Sequence, residues 1–307
     1  MRLLKRVRSV LTRIASLPEK ITQMQLALGR IEQRQITYRD VAIGEAEFKV
    51  FSQWGEDGII QYLIHHVPIE RELFVEFGVE NYTESNTRFL ALNNSWAGLV
   101  LDGSADNITY IRNDSIYWSN NLKAEHAFIT KDNINDLITR NGIRGDIGLL
   151  SIDIDGNDYW VWEAIDSVNP RIVICEYNSL FGPTAKVTTP YDPAFVRERA
   201  HFSKVFYGAS ISALCELAEA KGYSLVAGNL AGNNVFFVRN DLLGGLQVMA
   251  PRDVYRQSRF REYHDEQGKL TFHDFATRQD MLKHMPVYDF STKSVGPIKE
   301  IAGIIDQ

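Results

Sequence analysis

The sequence predicts an α/β fold, a doubly wound and mostly parallel sheet with a helical arm at its N-terminus. Three observations predict it. From residue 73 onward, apolar runs of strand length alternate with stretches of helical periodicity. Several of those runs end in an acid or a glycine, and in such sheets the carboxyl ends of the strands are where ligands bind. The first 36 residues carry a seven-residue apolar repeat and a charge of their own. At 307 residues, 45% hydrophobic and 23% charged, the composition excludes a disordered or fibrous chain. No apolar run approaches the ~20 residues of a membrane span.

The arm comes first in the chain. Residues 1–36 hold eight Lys or Arg against two acids, a balance of +6; with the whole chain at −6, the other 271 residues carry −12. Val7, Ile14, Ile21 and Leu28 recur every seven residues, and Leu3, Val10, Leu17, Met24 and Ile31 fill the companion positions of an a/d stripe. Pro18 is costly inside a continuous helix, so two helices are expected, near 2–16 and 19–35. One reading is a short coiled coil that drives homo-oligomerisation. The other is a peripheral membrane helix, because residues 2–14 combine six aliphatic residues with five basic ones and no acid. A cleaved targeting segment is a third, although no signal-peptide core is present. The acidic remainder argues against nucleic-acid binding. Cys175 and Cys215 cannot form a disulfide framework and read as reduced thiols of a cytoplasmic protein, which the arm would place at the inner face of the membrane on the second reading.

In the body, 73–77 reads as a buried strand, 85–94 as helical and 97–102 as a second strand. Residues 124–130, 147–155 and 171–177 are the expected third, fourth and fifth strands. Residues 210–222 form a helix closed by a glycine, and 223–228 and 234–239 are the last two strands. The strand ends carry the chemistry. Strand one ends Glu76-Phe77-Gly78, an acid and a glycine that lets backbone approach a ligand. Strand two ends in Asp102, whose two oxygens suit a ribose diol. The fourth ends Asp153-Ile154-Asp155-Gly156, with both carboxylates on one side if the strand runs through them. The fifth adds Glu176 and Asn178.

Three chemistries use such a rim. Asp153-x-Asp155 resembles the nucleophile motif of haloacid dehalogenase phosphatases, with Asn157 where that motif has threonine. It also resembles the metal motif of Asp-x-Asp glycosyltransferases. The third, S-adenosylmethionine binding by a class I methyltransferase, uses all the strand ends together. Longer segments carry the same resemblance. Phe51-Ser52-Gln53-Trp54-Gly55-Glu56-Asp57 is similar to the S-Q-x-G-E-D opening of FkbM-type methyltransferases. Phe74–Val79 resembles their first cofactor motif, Ser85-Asn86-Thr87 the helix start after it, Trp96–Asp102 their second-strand segment and Ser151–Gly156 their K-I-D-x-E-G motif. The resemblance spans about residues 50–240. The chain departs from the family where Asn81 and Tyr82 replace a second glycine and Asp155 replaces a glutamate, which places it in a divergent branch.

The resemblance implies a Rossmann-like class I fold and transfer of a methyl group from S-adenosylmethionine, often to a sugar hydroxyl of a glycan or a natural product. It makes residues 37–245 the methyltransferase domain, between the arm (1–36) and a C-terminal extension packed on the body (246–307). Glu76, Gly78, Asp102, Gln53 and Asp153 would then bind the cofactor. Asp155, or Asp153, would be the general base, with His201 a further candidate from the segment after strand five. Asp155, Glu176 and Asn178 form an oxygen-only set that suits Mg²⁺ or another divalent cation, as in catechol-type O-methyltransferases. The alternatives in other classes are the Asp-x-Asp glycosyltransferase and a catalytically inactive cofactor-binding scaffold. Two more segments invite assignment. Residues 184–193 read as a loop that covers the acceptor, and Arg252, Arg256, Arg259 and Arg261 as a patch for a phosphorylated or lipid-linked glycan, or as solvated tail.

Overall fold

The structure is a computed structural model that describes residues 11–304 except 40 and 262. A central sheet of seven strands runs in the order β3-β2-β1-β4-β5-β8-β7. Its strands are β1 (Leu73–Phe77), β2 (Ala97–Asp102), β3 (Leu122–His126), β4 (Gly145–Ile152), β5 (Val168–Glu176), β7 (Tyr223–Gly228) and β8 (Asn234–Arg239). The first five are parallel, and β8 enters antiparallel between β5 and β7. This is the doubly wound, mostly parallel, Rossmann-like sheet that the sequence predicts.

The strands form where they do because both faces of the sheet are covered. Leu73, Val75 and Phe77 point to one face, against the helices at Ile134–Arg140, Asp158–Ala164 and Ile211–Ala220. Phe74 points to the other, where Glu56–His66, Arg88–Asn94 and Ala105–Asn113 pack. Strands buried on both faces read as continuous apolar runs, which is why most were visible in the sequence. Two expected boundaries shift. The third strand lies at 122–126 rather than 124–130. The fourth stops at Ile152, so Asp153 and Asp155 stand in the loop beyond it rather than on one side of a strand. The loop turns because Asp158 accepts the N–H groups of Ile154 and Gly156, at 2.8 Å each. Asp155 then takes a left-handed backbone, φ 57°.

Strand register sets what meets at the carboxyl edge. Phe77 pairs with Leu101 and Ile152, Ile152 with Cys175, and Glu176 with Asn234. One step further along, Gly78, Asp102, Asp153 and Glu176 fall in a row across four strands.

In the arm, residues 11–15 are helical, the helix is interrupted at Ser16, and a longer helix spans Leu17–Tyr38 with Pro18 in its first turn. A proline is tolerated there because first-turn N–H groups lack intrahelical partners. The stripe residues Leu3, Val7 and Val10 lie outside the described residues. Among the described residues no helix is long and apolar enough to cross a membrane.

At the other end of the chain, residues 184–193 are not a cover over a ligand. Val187–Thr188 pairs with Pro286–Asp289 of the C-terminal extension in a small three-stranded sheet. Thr189 donates to the Gly156 carbonyl, which ties the segment beneath the acidic loop. The extension packs on the body through Tyr263, Leu282, Val287 and Ile298. Arg252, Arg256, Arg259 and Arg261 are exposed and line neither of the cavities described below.

One packing contact of the sheet is testable. Gly98 on β2 pairs with Phe74 on β1, and a Cβ on Gly98 would lie 2.0 Å from the Phe74 ring. Gly98→Ala is expected to cost about 1–3 kcal/mol by overpacking, measured by urea denaturation. Adding Phe74→Leu should recover part of the loss, and strict additivity of the two would argue against this contact as the cause.

Candidate active site

Glycine at position 78 is required twice over. Its φ is +67°, and a Cβ there would lie 1.6 Å from the Asp153 carbonyl oxygen. The turn after β1 and the loop after β4 therefore touch backbone to backbone, and two adjoining cavities open around the contact. Both are lined by Gly78, Glu80, Asp153 and Asp155. The smaller, about 160 Å³, adds Asp102, Phe128 and Ile129. The larger, about 410 Å³, adds Gln53, Glu176, Arg197 and His264, and is the size of a small-molecule site.

Asp102 is buried at the smaller cavity. Its Oδ1 accepts Ser104 N–H (2.8 Å) and Asn107 Nδ2 (3.0 Å), and its Oδ2 accepts Glu80 N–H (2.8 Å). These bonds fix the carboxylate and leave a lone pair on Oδ2, which has one donor against two on Oδ1, for a ligand hydroxyl. Glu76 has more internal work than expected. Its carboxylate accepts the N–H groups of Asn86 (2.8 Å) and Thr87 (3.1 Å) and the Thr87 hydroxyl, so it holds the start of the helix at Arg88–Asn94. Burial pushes its carboxyl up to about 7.

The S-Q-W-G-E-D segment has a physical explanation. Asp57 Oδ2 gathers the N–H groups of Val50, Phe51 and Ser52 and the Ser52 hydroxyl, all at 2.7–2.9 Å. Glu56 accepts Trp54 and Gly55 N–H through Oε2, and the side-chain amides of Asn229 (2.6 Å) and Asn234 (2.9 Å) through Oε1. The loop is thereby clasped to the turn between β7 and β8, with Gln53 facing the larger cavity. Trp54 stacks on Phe260 of the C-terminal extension, ring centroids 5.8 Å apart.

The acids at the centre are Asp153, Asp155 and Glu176, each with a carboxylate oxygen within 4.8 Å of the others. Asp155 is ion-paired with Arg197, whose Nε also donates to the Lys204 carbonyl and whose guanidinium lies over the Tyr207 ring. Asp153 and Glu176 have no such neighbour of their own. Burial first, and the negative charge of neighbouring acids second, hold both carboxyls far above the usual range. Among the buried polar atoms of this cavity's lining that lack a hydrogen-bond partner are the acceptors Glu176 Oε2 and Asn234 Oδ1. Buried acceptors are rarely left so unless something else supplies the donor.

Two expected site residues are not brought here. His201 bonds to the Ser203 hydroxyl through Nδ1 (2.6 Å) and lines neither cavity. Asn178 spends its amide on the Val205 and Tyr207 carbonyls (2.9 Å each), accepts Leu180 N–H, and lines neither cavity. The acids close enough together to hold a cation are Asp153, Asp155 and Glu176 instead. Sequence reasoning missed Arg197 and His264, which sit on segments with no motif. It also missed Asp158, although an acid at a helix start after a glycine is a visible signal.

Glu76 gives a pH test. Between its ordinary value of 4.5 and about 7, the folded chain keeps a proton that the unfolded chain releases. Its contribution to stability is complete below about 4.5 and is lost as pH rises through 7. Wild type is expected to lose about 3 kcal/mol relative to Glu76→Gln across that window in urea titrations. Parallel pH profiles of the two proteins would refute the assignment.

No family model matches this chain, and no curated protein matches it. Among solved structures, it is similar to the N-terminal domain of EvdMO1 with SAH bound (11% identity, 68% of this chain and 95% of that one, TM-score 0.39). It is also similar to an O-methyltransferase from Bacillus cereus in complex with SAH (14% identity, 72% and 91%, TM-score 0.39). A third is an S-adenosylmethionine-dependent methyltransferase from Clostridium acetobutylicum ATCC 824 (10% identity, 67% and 95%, TM-score 0.37). These are distant likenesses of fold.

Proposed function

We propose that the chain is an S-adenosylmethionine-dependent O-methyltransferase whose acceptor is a sugar hydroxyl of a glycan or related glycoconjugate, as the resemblance to FkbM-type enzymes implies. The observation that carries the reading is the row of Gly78, Asp102, Asp153 and Glu176 at the carboxyl edge, with a cavity on either side of the Gly78–Asp153 contact. S-Adenosylmethionine supplies a methyl group on a sulfonium. Asp102 would hold its ribose in the smaller cavity, and Gly78 would let the backbone come close to it. The acceptor would occupy the larger cavity, whose polar lining and unpaired acceptors Glu176 Oε2 and Asn234 Oδ1 match the hydroxyl hydrogens of a sugar.

Transfer to a hydroxyl also requires removal of its proton. Asp155 is engaged by the Arg197 guanidinium in an ion pair, so its carboxylate is already committed. The Asp153–Glu176 pair is the better choice. Its raised carboxyls make it more basic than an ordinary carboxylate near neutral pH. Arg197 and Asp155 would then position the loop. A second reading gives the same three acids a divalent cation, which would orient the acceptor oxygen. The orphaned Glu176 Oε2 favours it.

Calorimetry with S-adenosylmethionine is the direct test. Wild type is expected to bind and Asp102→Ala to bind at least tenfold more weakly; no binding by wild type would overturn the proposal. Glu176→Gln is expected to keep cofactor affinity and lose about 10²–10⁴-fold in turnover on a glycan-acceptor panel. Cofactor binding without turnover on any acceptor, with surface glycans unchanged by mass spectrometry in a deletion strain, would point to the inactive scaffold. Mg²⁺ or Mn²⁺ titration distinguishes the second reading, for which Asp153→Asn should abolish metal binding.

A further inference from the structure

The N-terminal helix is docked on the body by one face only. Gly29 packs so closely that a Cβ there would lie 2.7 Å from Val50 and 2.8 Å from the Phe89 ring, and Ile36 is buried. Arg30 Nε donates to Asn93 Oδ1 (2.9 Å), and Asn93 donates to Gln33 Oε1 (3.0 Å). The rest of the apolar repeat turns away. Ile14, Leu17, Ile21, Met24, Leu28 and Ile31 are each 49–66% exposed, although they alternate as the a and d positions of one seam. Leu11, at an e position beside the seam, is 60% exposed as well. Seven such side chains about half exposed present on the order of 600 Å² of apolar surface. That is as much as the largest patch of an ordinary monomer, and most of the about 800 Å² that each partner contributes to a stable interface.

We infer that the occupant of this seam is the same helix of a second copy, and that the chain is a parallel two-stranded coiled-coil dimer. Three features select that partner. The seam is two positions wide, with Lys20, Ala27 and Arg34 on its g side and Gln25 and Glu32 on its e side, and a helix lying in a lipid surface presents a broader apolar face. In the first two described heptads the a positions hold β-branched Ile14 and Ile21 and the d positions Leu17 and Met24, the arrangement that favours two parallel strands, while the third has Leu28 at a and Ile31 at d. Charge excludes the reverse orientation. An antiparallel copy in full register would set Arg13 against Arg34 across the seam. A parallel copy sets Lys20 beside Gln25 and Ala27 beside Glu32, with no like charges facing. The face used for the body runs through Gly29, Gln33 and Ile36, outside the a and d positions, and reaches the seam only at its edge, where Gln25 Nε2 donates to the Val50 carbonyl.

The experiment uses the full chain. Sedimentation equilibrium at micromolar concentration is expected to give twice the chain mass. Ile21→Glu with Leu28→Glu is expected to give the chain mass, with circular dichroism and thermal midpoint unchanged, since neither side chain touches the body. A monomeric wild type, a trimer or tetramer, or a double variant that stays dimeric would overturn the proposal. Leu28→Cys should cross-link to itself under mild oxidation. Cross-linking only when Leu28→Cys is mixed with Leu17→Cys would overturn the parallel orientation. Wild type that sediments as a monomer but floats with phosphatidylglycerol vesicles, with loss of flotation in the double variant, would assign the seam to an anionic membrane instead.

Discussion

The peptide of Asp153 occupies the space that a side chain on residue 78 would need. That single approach of two backbones brings the end of β1 to the loop after β4 and divides the carboxyl edge of the sheet into two cavities. Most other features of the site serve it. Asp158 curls the loop so that the Asp153 carbonyl faces Gly78. Gly78 N–H is held by the Leu101 carbonyl of β2 at 3.0 Å, which fixes the turn from the other side. Asp102 then draws in Glu80, two residues past the glycine. Three strand ends are thus locked by interactions within about five residues of one contact.

Buried acids around that contact fall into two kinds. Asp57, Glu76 and Asp158 accept only the chain's own N–H and hydroxyl groups, and burial still pushes them up to about 6, 7 and 6. They shape loops. Burial and neighbouring acids raise Asp153 and Glu176 as well, and Glu176 Oε2 has no protein donor. Asp57 and Asp158 are enclosed by their own loops, whereas Asp153 and Glu176 line the larger cavity, where something that arrives with a proton donor or a positive charge would meet them. The −12 carried by the body is in this sense not a surface property alone.

Much of this was legible in the residues, and the failures have causes. Strands one, two, seven and eight were bounded closely because continuous apolar runs between turn residues leave little choice. The fourth was extended too far because Ile152-Asp153-Ile154-Asp155 keeps the alternation of a strand, and only the capture of two N–H groups by Asp158 ends it. Glu176 and Asn178 share a strand end, yet they go to different tasks, since the amide of Asn178 meets carbonyls 27 and 29 residues further on. Arg197 and His264 were invisible for the same reason. Their place depends on how long segments return to the sheet edge, which local pattern does not encode.

The clasp between Glu56 and the asparagines at 229 and 234 has a consequence for how the protein is made. Glu56 leaves the ribosome about 180 residues before its partners do, an interval of roughly ten to forty seconds at ordinary elongation rates. During that time a buried carboxylate and the Gln53 loop have nowhere to dock, and Trp54 waits longer for Phe260. The acids and the glycine of the sheet edge are therefore synthesised well before the Gln53 loop can dock, and the larger cavity gains its full lining, Asn234 and His264 included, only near the end of synthesis. A chain cut short before β8 would lack Asn234 of the clasp together with the fully buried Val235, Phe236, Phe237 and Val238, so clasp and core are completed by the same strand.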